Sequence, residues 1–357
     1  MAHEAPRKIN QGLSKMLWVK GELLTDVDAP GVDPSGQLER ETQPFLFDRR
    51  DWFRRVARHL GTVPLIGRAA SEGALCWLFL QREPRGTVSS LSNRKGFAFR
   101  PVFAGNPDAE RQRAMLVAIS KRLKKARPAI TSLCLYPVPE RDGSAGLLRA
   151  ALGAAGWATF VRQTSEHWIS RVNSQSFAEY LEARPSTVHE SLRLANEGPE
   201  FETQIFRQFN DDAWSILEAL LGQGLGNTDA LESLEKELAV AEGMAGTVRL
   251  GVCSVDGTAV AAQFWTVENG LALIHRVAQL DGHDAATGAT ILTSALFRKA
   301  IDVDRIEAIE WTDEHDDQMA DWMDERAPLV RIDAFNLSSF AGFWGAIKAR
   351  LYGLFVR

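Results

Sequence analysis

Cysteine is scarce: Cys76, Cys134 and Cys253 are the only three in 357 residues. Each sits in an apolar, strand-like run with no Cys-x-x-Cys spacing and no histidine close by, which argues against a disulfide framework or a metal site and for reduced, buried thiols. Positive charge is not in excess either. Lys and Arg total 41 against 46 Asp and Glu, a net charge of -5, so no general attraction to nucleic acid exists and no nucleic-acid partner is expected. Long apolar runs are also missing; none approaches the roughly 18 residues of a membrane-spanning helix. Arg7 and Lys8 are followed by polar residues, so no leader is read and a cytoplasmic protein is expected, at most resting on the inner face of the membrane.

What is present is the balance of a globular protein, 45% apolar and 24% charged residues, in a chain long enough for two domains. Residues 1–44 read as an irregular arm with turn chemistry in Asp-Ala-Pro-Gly-Val-Asp-Pro-Ser-Gly (28–36), little core, and one possible strand at Met16 to Val19. From Asp48, Trp52, Phe53, Val56 and Leu60 fall on helical spacing, with Gly61 as a stop.

Two regions then repeat one order of elements. In the first, strands at 75–81, 87–91 and 97–103 precede a helix at 108–125, a strand at 130–136, a helix at 143–155 and a strand at 159–164. In the second, strands at 247–254, 259–267 and 271–278 precede a helix at 287–303, a strand at 306–311, a short helix at 316–323 and a strand at 329–334. Asp256-Gly257 and Asn269-Gly270 mark hairpin turns. Helices at 177–182, 187–196, 213–221 and 229–241, with a strand at 201–206, join the copies. The expectation is an α/β protein with mixed sheets and a duplicated fold, divided as 45–165 and 166–337, followed by a helix at 338–357.

The residues Ala-Ala-Gln-Phe-Trp-Thr-Val-Glu-Asn-Gly-Leu-Ala-Leu-Ile-His-Arg-Val-Ala-Gln (261–279), Ala-Thr-Gly-Ala-Thr (286–290) and the stretch from Ile309 to Phe335 are the most specific part of the pattern. They resemble the GNAT superfamily of acyl-CoA N-acyltransferases, in the branch called CelD-like, present as a tandem pair with the architecture of Fem aminoacyltransferases. The resemblance implies two GNAT-like domains and acyl-CoA as co-substrate. It also implies a thioester bonded to the backbone of the strand at 271–278, through Val277 and Ala278, and phosphates at the start of the next helix, on Thr287, Gly288, Ala289 and Thr290. Ala285 stands where the superfamily usually has Gln or Arg. Gln318 and Met319 stand near where the branch commonly has a Tyr-Lys pair.

A helix start suits phosphate because its first N–H groups lack intrahelical partners. The equivalent helix of the first half opens with Pro107, Asp108 and Glu110, which disfavour an anion, so the second half is the expected cofactor-binding half. Direct acyl transfer to an amine needs a proton acceptor rather than a nucleophile. His275, in the strand beside the thioester, is the first candidate; Asp313 and His315, after the strand ending in Trp311, are the others. Glu314, Asp316 and Trp322 are candidate acceptor contacts, and no metal is expected. A solvated acidic loop and a hydrogen-bonded core histidine are the plain alternatives.

Gly-Gln-Gly-Leu-Gly-Asn (222–227) follows no strand and reads as a helix stop, while Arg111, Arg113, Lys121, Arg122, Lys124 and Lys125 read as a solvated helix face. The final segment spaces Phe340, Phe343, Trp344, Ile347, Leu351, Leu354 and Phe355 helically with Lys348, Arg350 and Arg357, a pattern that suits a membrane interface or packing on its own domain. The expected activity is N-acyl transfer to the amine of a small molecule, an amino sugar or a sphingoid-type lipid. The alternative is a binding or scaffold protein that kept the fold.

Overall fold

The computed structural model describes residues 18–92, 98–197, 200–222, 229–311 and 317–355. In chain order the first half contains β1 (Lys20–Leu24), a 3₁₀ turn (Leu46–Asp48), α1 (Arg50–Leu60), β2 (Pro64–Ser71), β3 (Ala74–Arg82), β4 (Thr87–Ser90), β5 (Val102–Ala104), α2 (Ala109–Lys124), β6 (Ser132–Pro139), α3 (Ser144–Ala154) and β7 (Trp157–Arg171). Then follow α4 (Phe177–Glu182), α5 (Ser186–Glu197), β8 (Phe201–Phe206), α6 (Asp211–Gly222) and α7 (Asp229–Met244). The second half continues with β9 (Val248–Val255), β10 (Thr258–Glu268), β11 (Leu271–Gln279), α8 (His283–Arg298), a π-helical turn (Lys299–Val303), β12 (Ala308–Trp311), a 3₁₀ turn (Asp317–Trp322), β13 (Glu325–Asn336) and α9 (Phe340–Phe355).

Local chemistry accounts for many boundaries. The Asp108 carboxylate accepts from the Arg111 N–H and caps α2. Asp256 and Gly257, like Asn269 and Gly270, all take positive φ, the pair of left-handed residues that a two-residue hairpin turn needs. The three cysteines are free, Cys76 and Cys253 buried in the core.

All thirteen described strands form one sheet, in the order β1-β2-β3-β4-β6-β13-β7-β12-β11-β10-β9-β8, with β5 on β3. The order does repeat, β1-β2-β3-β4-β6 mirroring β8-β9-β10-β11-β12, but one strand out of the expected correspondence: β3 and β4 match β10 and β11, the places expected for the strands at 87–91 and 97–103. The two halves are joined by exchange: β13, the last strand of the second half, pairs with β6 of the first, and β7 of the first pairs with β12 of the second. β7 and β13 pair with each other from Ile169–Glu325 to Trp157–Asn336. The boundary expected between residues 165 and 166 therefore falls inside β7, which both halves share.

The arm is not irregular throughout. Its strand is β1, just after the expected 16–19, and pairs with β2, itself unread in the sequence. Val27, Val32 and Leu38 are buried, and the Trp77 indole donates to the Val32 carbonyl at 2.6 Å. The expected strand at 97–103 shortens to β5. The arm, α1 and α7 cover one face of the sheet, where Phe47, Trp52, Phe79, Leu238 and Leu273 pack together. On the other face α8 packs Leu292, Leu296 and Phe297 against Ala272 and Ile274 of β11, and α2 and α3 form the first half's cluster with Leu78 and Leu80. The arm-side cluster draws residues from both halves, whereas the opposite face keeps a separate cluster for each half.

Candidate functional site

β11 and β12 run parallel from Leu271–Ala308 to Ile274–Trp311. Past Ile274, β11 keeps β10 on one edge as far as Gln279, but among the described residues no strand pairs with its other edge. A bulge sits at this fork: Trp265 faces Ile274 and Phe264 faces Arg276, leaving His275 as the extra residue. Among the described residues, no strand takes up the backbone groups of that edge past Ile274.

Beside the fork lies a cleft of about 220 Å³. Val277 and Gln279 of β11 form one wall, Ala286, Ala289, Thr290 and Thr293 of α8 the second, and Met319 and Trp322 the third. The α8 residues recur at three- and four-residue spacing, so one small, hydroxyl-bearing helix face lines the space. Thr290 and Thr293 direct their hydroxyls to the Ala286 and Ala289 carbonyls, and buried Gln263 donates to Thr293 at 2.7 Å. Trp322 is anchored by its carbonyl, which accepts from the Tyr180 hydroxyl at 2.5 Å and Arg184 at 3.0 Å. Its ring lies 5.2 Å from that of Phe297.

Of the expected site residues, the structure brings Val277, Ala289, Thr290 and Trp322 together in this cleft. It places Thr287, Gly288, Ala278 and His275 elsewhere. α8 begins at His283, not Thr287, and the Ala286 N–H already bonds to Gly282. Thr287, Gly288, Ala289 and Thr290 thus lie beyond the first turn, whose free donors belong to His283, Asp284 and Ala285. Gly288 faces the sheet: a Cβ there would meet Val260 at 2.7 Å and Cys253 at 3.4 Å, so its small size serves helix-to-strand contact. Ala285 is buried in the same cluster, and a Gln or Arg would have to displace core there. Ala278 packs on the opposite face with Trp214 and Phe264.

His275 also lies on that opposite face, stacked on Phe264 at 4.7 Å and edge-on to Phe47 at 6.1 Å. It shares a 2.8 Å hydrogen bond with the Thr266 hydroxyl. Burial, helped by Arg276, lowers its pKa to about 3, so the imidazole is neutral but a weak base and does not line the cleft. Asp313, Glu314, His315 and Asp316 lie outside the described residues. The short helix expected at 316–323 is the 3₁₀ turn.

Sequence reading missed a second constellation on the arm-facing side. Arg100 donates from Nε to both Asp48 oxygens, at 3.2 and 3.0 Å, and its Nη1 lies 3.6 Å from Asp142. Glu310 of β12 feels the charges of Arg100 and Asp142 and is raised above the usual carboxylate range, chiefly by burial. These residues are spread over more than 260 positions, and no spacing could have signalled them. The cleft residues of α8, by contrast, carried a helical period.

No protein-family model matches the sequence, and no curated protein matches it. Solved structures do. The chain superposes on FemX with a TM-score of 0.56 at 10% identity, over 81% of this chain and 92% of that one. A conserved protein of unknown function from Bacteroides thetaiotaomicron gives 0.51 at 11% identity, over 80% and 89%. A tandem GNAT protein from the clavulanic acid biosynthesis pathway gives 0.50 at 13% identity, over 88% and 98%. At such identities the likeness is one of fold, and the fold is the tandem GNAT-like one.

Proposed function

We propose that this protein is an acyl-CoA-dependent N-acyltransferase whose donor lies in the cleft between β11 and α8. The fork at Ile274 carries this reading: among the described residues, one strand edge there has no partner strand, and a cleft with small walls lies beside it. The thioester carbonyl would accept from that backbone edge near Val277, a pre-aligned donor for the oxyanion that forms when an amine attacks. Ala286, Ala289, Thr290 and Thr293 leave room for a slender amide-bearing arm such as that of coenzyme A, with Met319 and Trp322 as its apolar wall. The phosphates would meet the first turn of α8, where His283, Asp284 and Ala285 supply N–H donors. The Asp284 carboxylate opposes an anion there, so the arm rather than the phosphates would supply most of the affinity. Likeness of fold to the tandem GNAT protein supports the reaction class.

The test is calorimetric titration with acetyl-CoA and a long-chain acyl-CoA, on wild type and on Ala286→Trp, which fills the cleft from an exposed helix position. Binding by wild type that is lost in the variant supports the reading. No binding of either donor by wild type removes it in favour of a protein that kept the fold without the reaction.

α9 favours an acceptor at a lipid surface. Among the described residues no helix is long and apolar enough to cross a membrane. α9 instead packs Gly345 on Phe335 and turns Phe340, Phe343, Trp344 and Leu351 outward, Phe340 being 81% exposed, with Lys348 and Arg350 on the exposed surface too. Such a face suits the boundary of an anionic bilayer.

A further inference from the structure

The two ends of the sheet are finished differently. β8, the last strand on one side, pairs with β9 alone, from Phe201–Val255 to Phe206–Leu250 and without a bulge. Glu202, Thr203 and Gln204 are exposed, and among the described residues no group outside β9 hydrogen-bonds to the β8 backbone. At the opposite end, the Gly21 carbonyl of β1 accepts from Arg122 at 2.7 Å, and α2 lies so close that a Cβ at Gly21 would meet the Ala118 backbone at 3.0 Å. Folded proteins blunt a free strand edge with proline, lysine, a bulge or a cover, because its open row of N–H and C=O groups templates another strand. β8 contains neither proline nor lysine, and its ladder with β9 is unbroken.

The side chains of β8 decide which strand fits beside it. Alternation puts Phe201, Thr203 and Ile205 on the α8 face, where Phe201 and Ile205 pack on the core under that helix. Glu202, Gln204 and Phe206 lie on the α6 face, beside Asp212 and Ile216. Two copies of one strand can pair antiparallel about a two-fold axis only if one residue faces its own equivalent, since the axis keeps each face of the sheet on its own side. With Thr203 on the axis, two threonines meet, flanked on the same face by two contacts of Phe201 with Ile205 of the second copy. On the other face the Glu202 carboxylate lies opposite the Gln204 amide of the second copy, an acceptor facing a donor, twice over. The neighbouring registers are poorer: Glu202 on the axis opposes two carboxylates, and Gln204 on the axis sets Glu202 against Phe206.

We propose that β8 is a docking edge for a second copy of this chain, which joins two sheets into one through an antiparallel pair of β8 strands centred on Thr203. The partner is the chain itself because the strand is complementary to its own reverse. The cleft between β11 and α8 takes no lining residue from β8, so this inference stands apart from the acyltransferase reading.

The experiment is sedimentation equilibrium of the full chain over a range of concentrations, for wild type, Thr203→Lys, Thr203→Glu and an equimolar mixture of the two variants. Thr203 is exposed, so both substitutions leave the fold in place, which the melting temperature checks. Wild type is expected to dimerise reversibly. Each variant alone should dimerise at least tenfold more weakly, because like charges then face each other across the axis, and the mixture should recover at least tenfold as ammonium meets carboxylate. A monomeric wild type overturns the proposal, as does a dimer that Thr203→Lys leaves unchanged or a mixture that fails to recover. Should either variant unfold, Thr203→Cys decides: on mild oxidation it closes a disulfide between two copies, whereas Glu202→Cys, facing Gln204, does not. Failure of Thr203→Cys to cross-link, or equal cross-linking by both, overturns the proposal.

Discussion

Arg249 and Asp304 form a two-pronged ion pair, Nε to Oδ2 at 2.8 Å and Nη2 to Oδ1 at 2.7 Å, with 4% and 6% of their side chains exposed. The pair ties β9 to the end of the helix that lines the donor cleft. Arg249 also donates to the Gly246 and Val248 carbonyls, so the guanidinium has little freedom to turn toward water.

Asp304→Ala would strand that guanidinium in the core. Removing one member of a buried pair costs about 3–5 kcal/mol, and urea denaturation should show a loss of that order. A loss under about 1 kcal/mol, the range of exposed pairs, would mean that water reaches the arginine.

Gly288→Val tests the role given to that glycine. Its side chain would press into Val260 and Cys253, and overpacking of a filled core costs about 1–3 kcal/mol. Thermal melting should fall while the surviving folded protein binds acyl-CoA with nearly wild-type affinity. An unchanged melting temperature with lost binding would restore the phosphate role to this residue.

Stability should depend on pH through half-buried His275 and buried His167. His275 and His167 are held at about 3 and about 4 against an ordinary 6.5. Between those values the unfolded chain binds protons that the folded chain refuses, so their contribution is intact above 6.5 and is lost as pH falls toward 4. Each imidazole adds a slope of up to about 1.4 kcal/mol per pH unit. His275→Gln should flatten the fall measured between pH 6 and 4.5; an identical slope would show that the imidazole is charged in the fold.

Replacing Phe340, Phe343 and Trp344 with Ser should abolish flotation with anionic liposomes and leave the melting temperature within a few degrees, because these side chains face outward. Flotation that persists in the triple variant would move the lipid contact elsewhere.

Much of the fold was legible from periodicity. α2, β9, β10, β11 and α6 appear within a few residues of their expected bounds because alternation and helical spacing are local properties of a half-buried element. The start of α8 was misplaced because the Thr-Gly-Ala-Thr run looks like a loop-to-helix joint. Gly288 is there for contact with Val260, a residue 28 positions away, and only packing reveals that.

By itself the sequence determined a globular α/β chain with a repeated order of elements and small residues at 286–290 of the second half, since these follow from composition and local period. Tertiary structure alone decided three things. It exchanged β7 and β13 between the halves, because strand partners are chosen by long-range hydrogen bonding. It set His275 away from the cleft, because α8 packs on the face of β11 that carries Ile274 and alternation gives the next side chain to the other face. It brought Arg100 against Asp48 and Asp142, because charges far apart in the chain become neighbours only when the fold closes the distance.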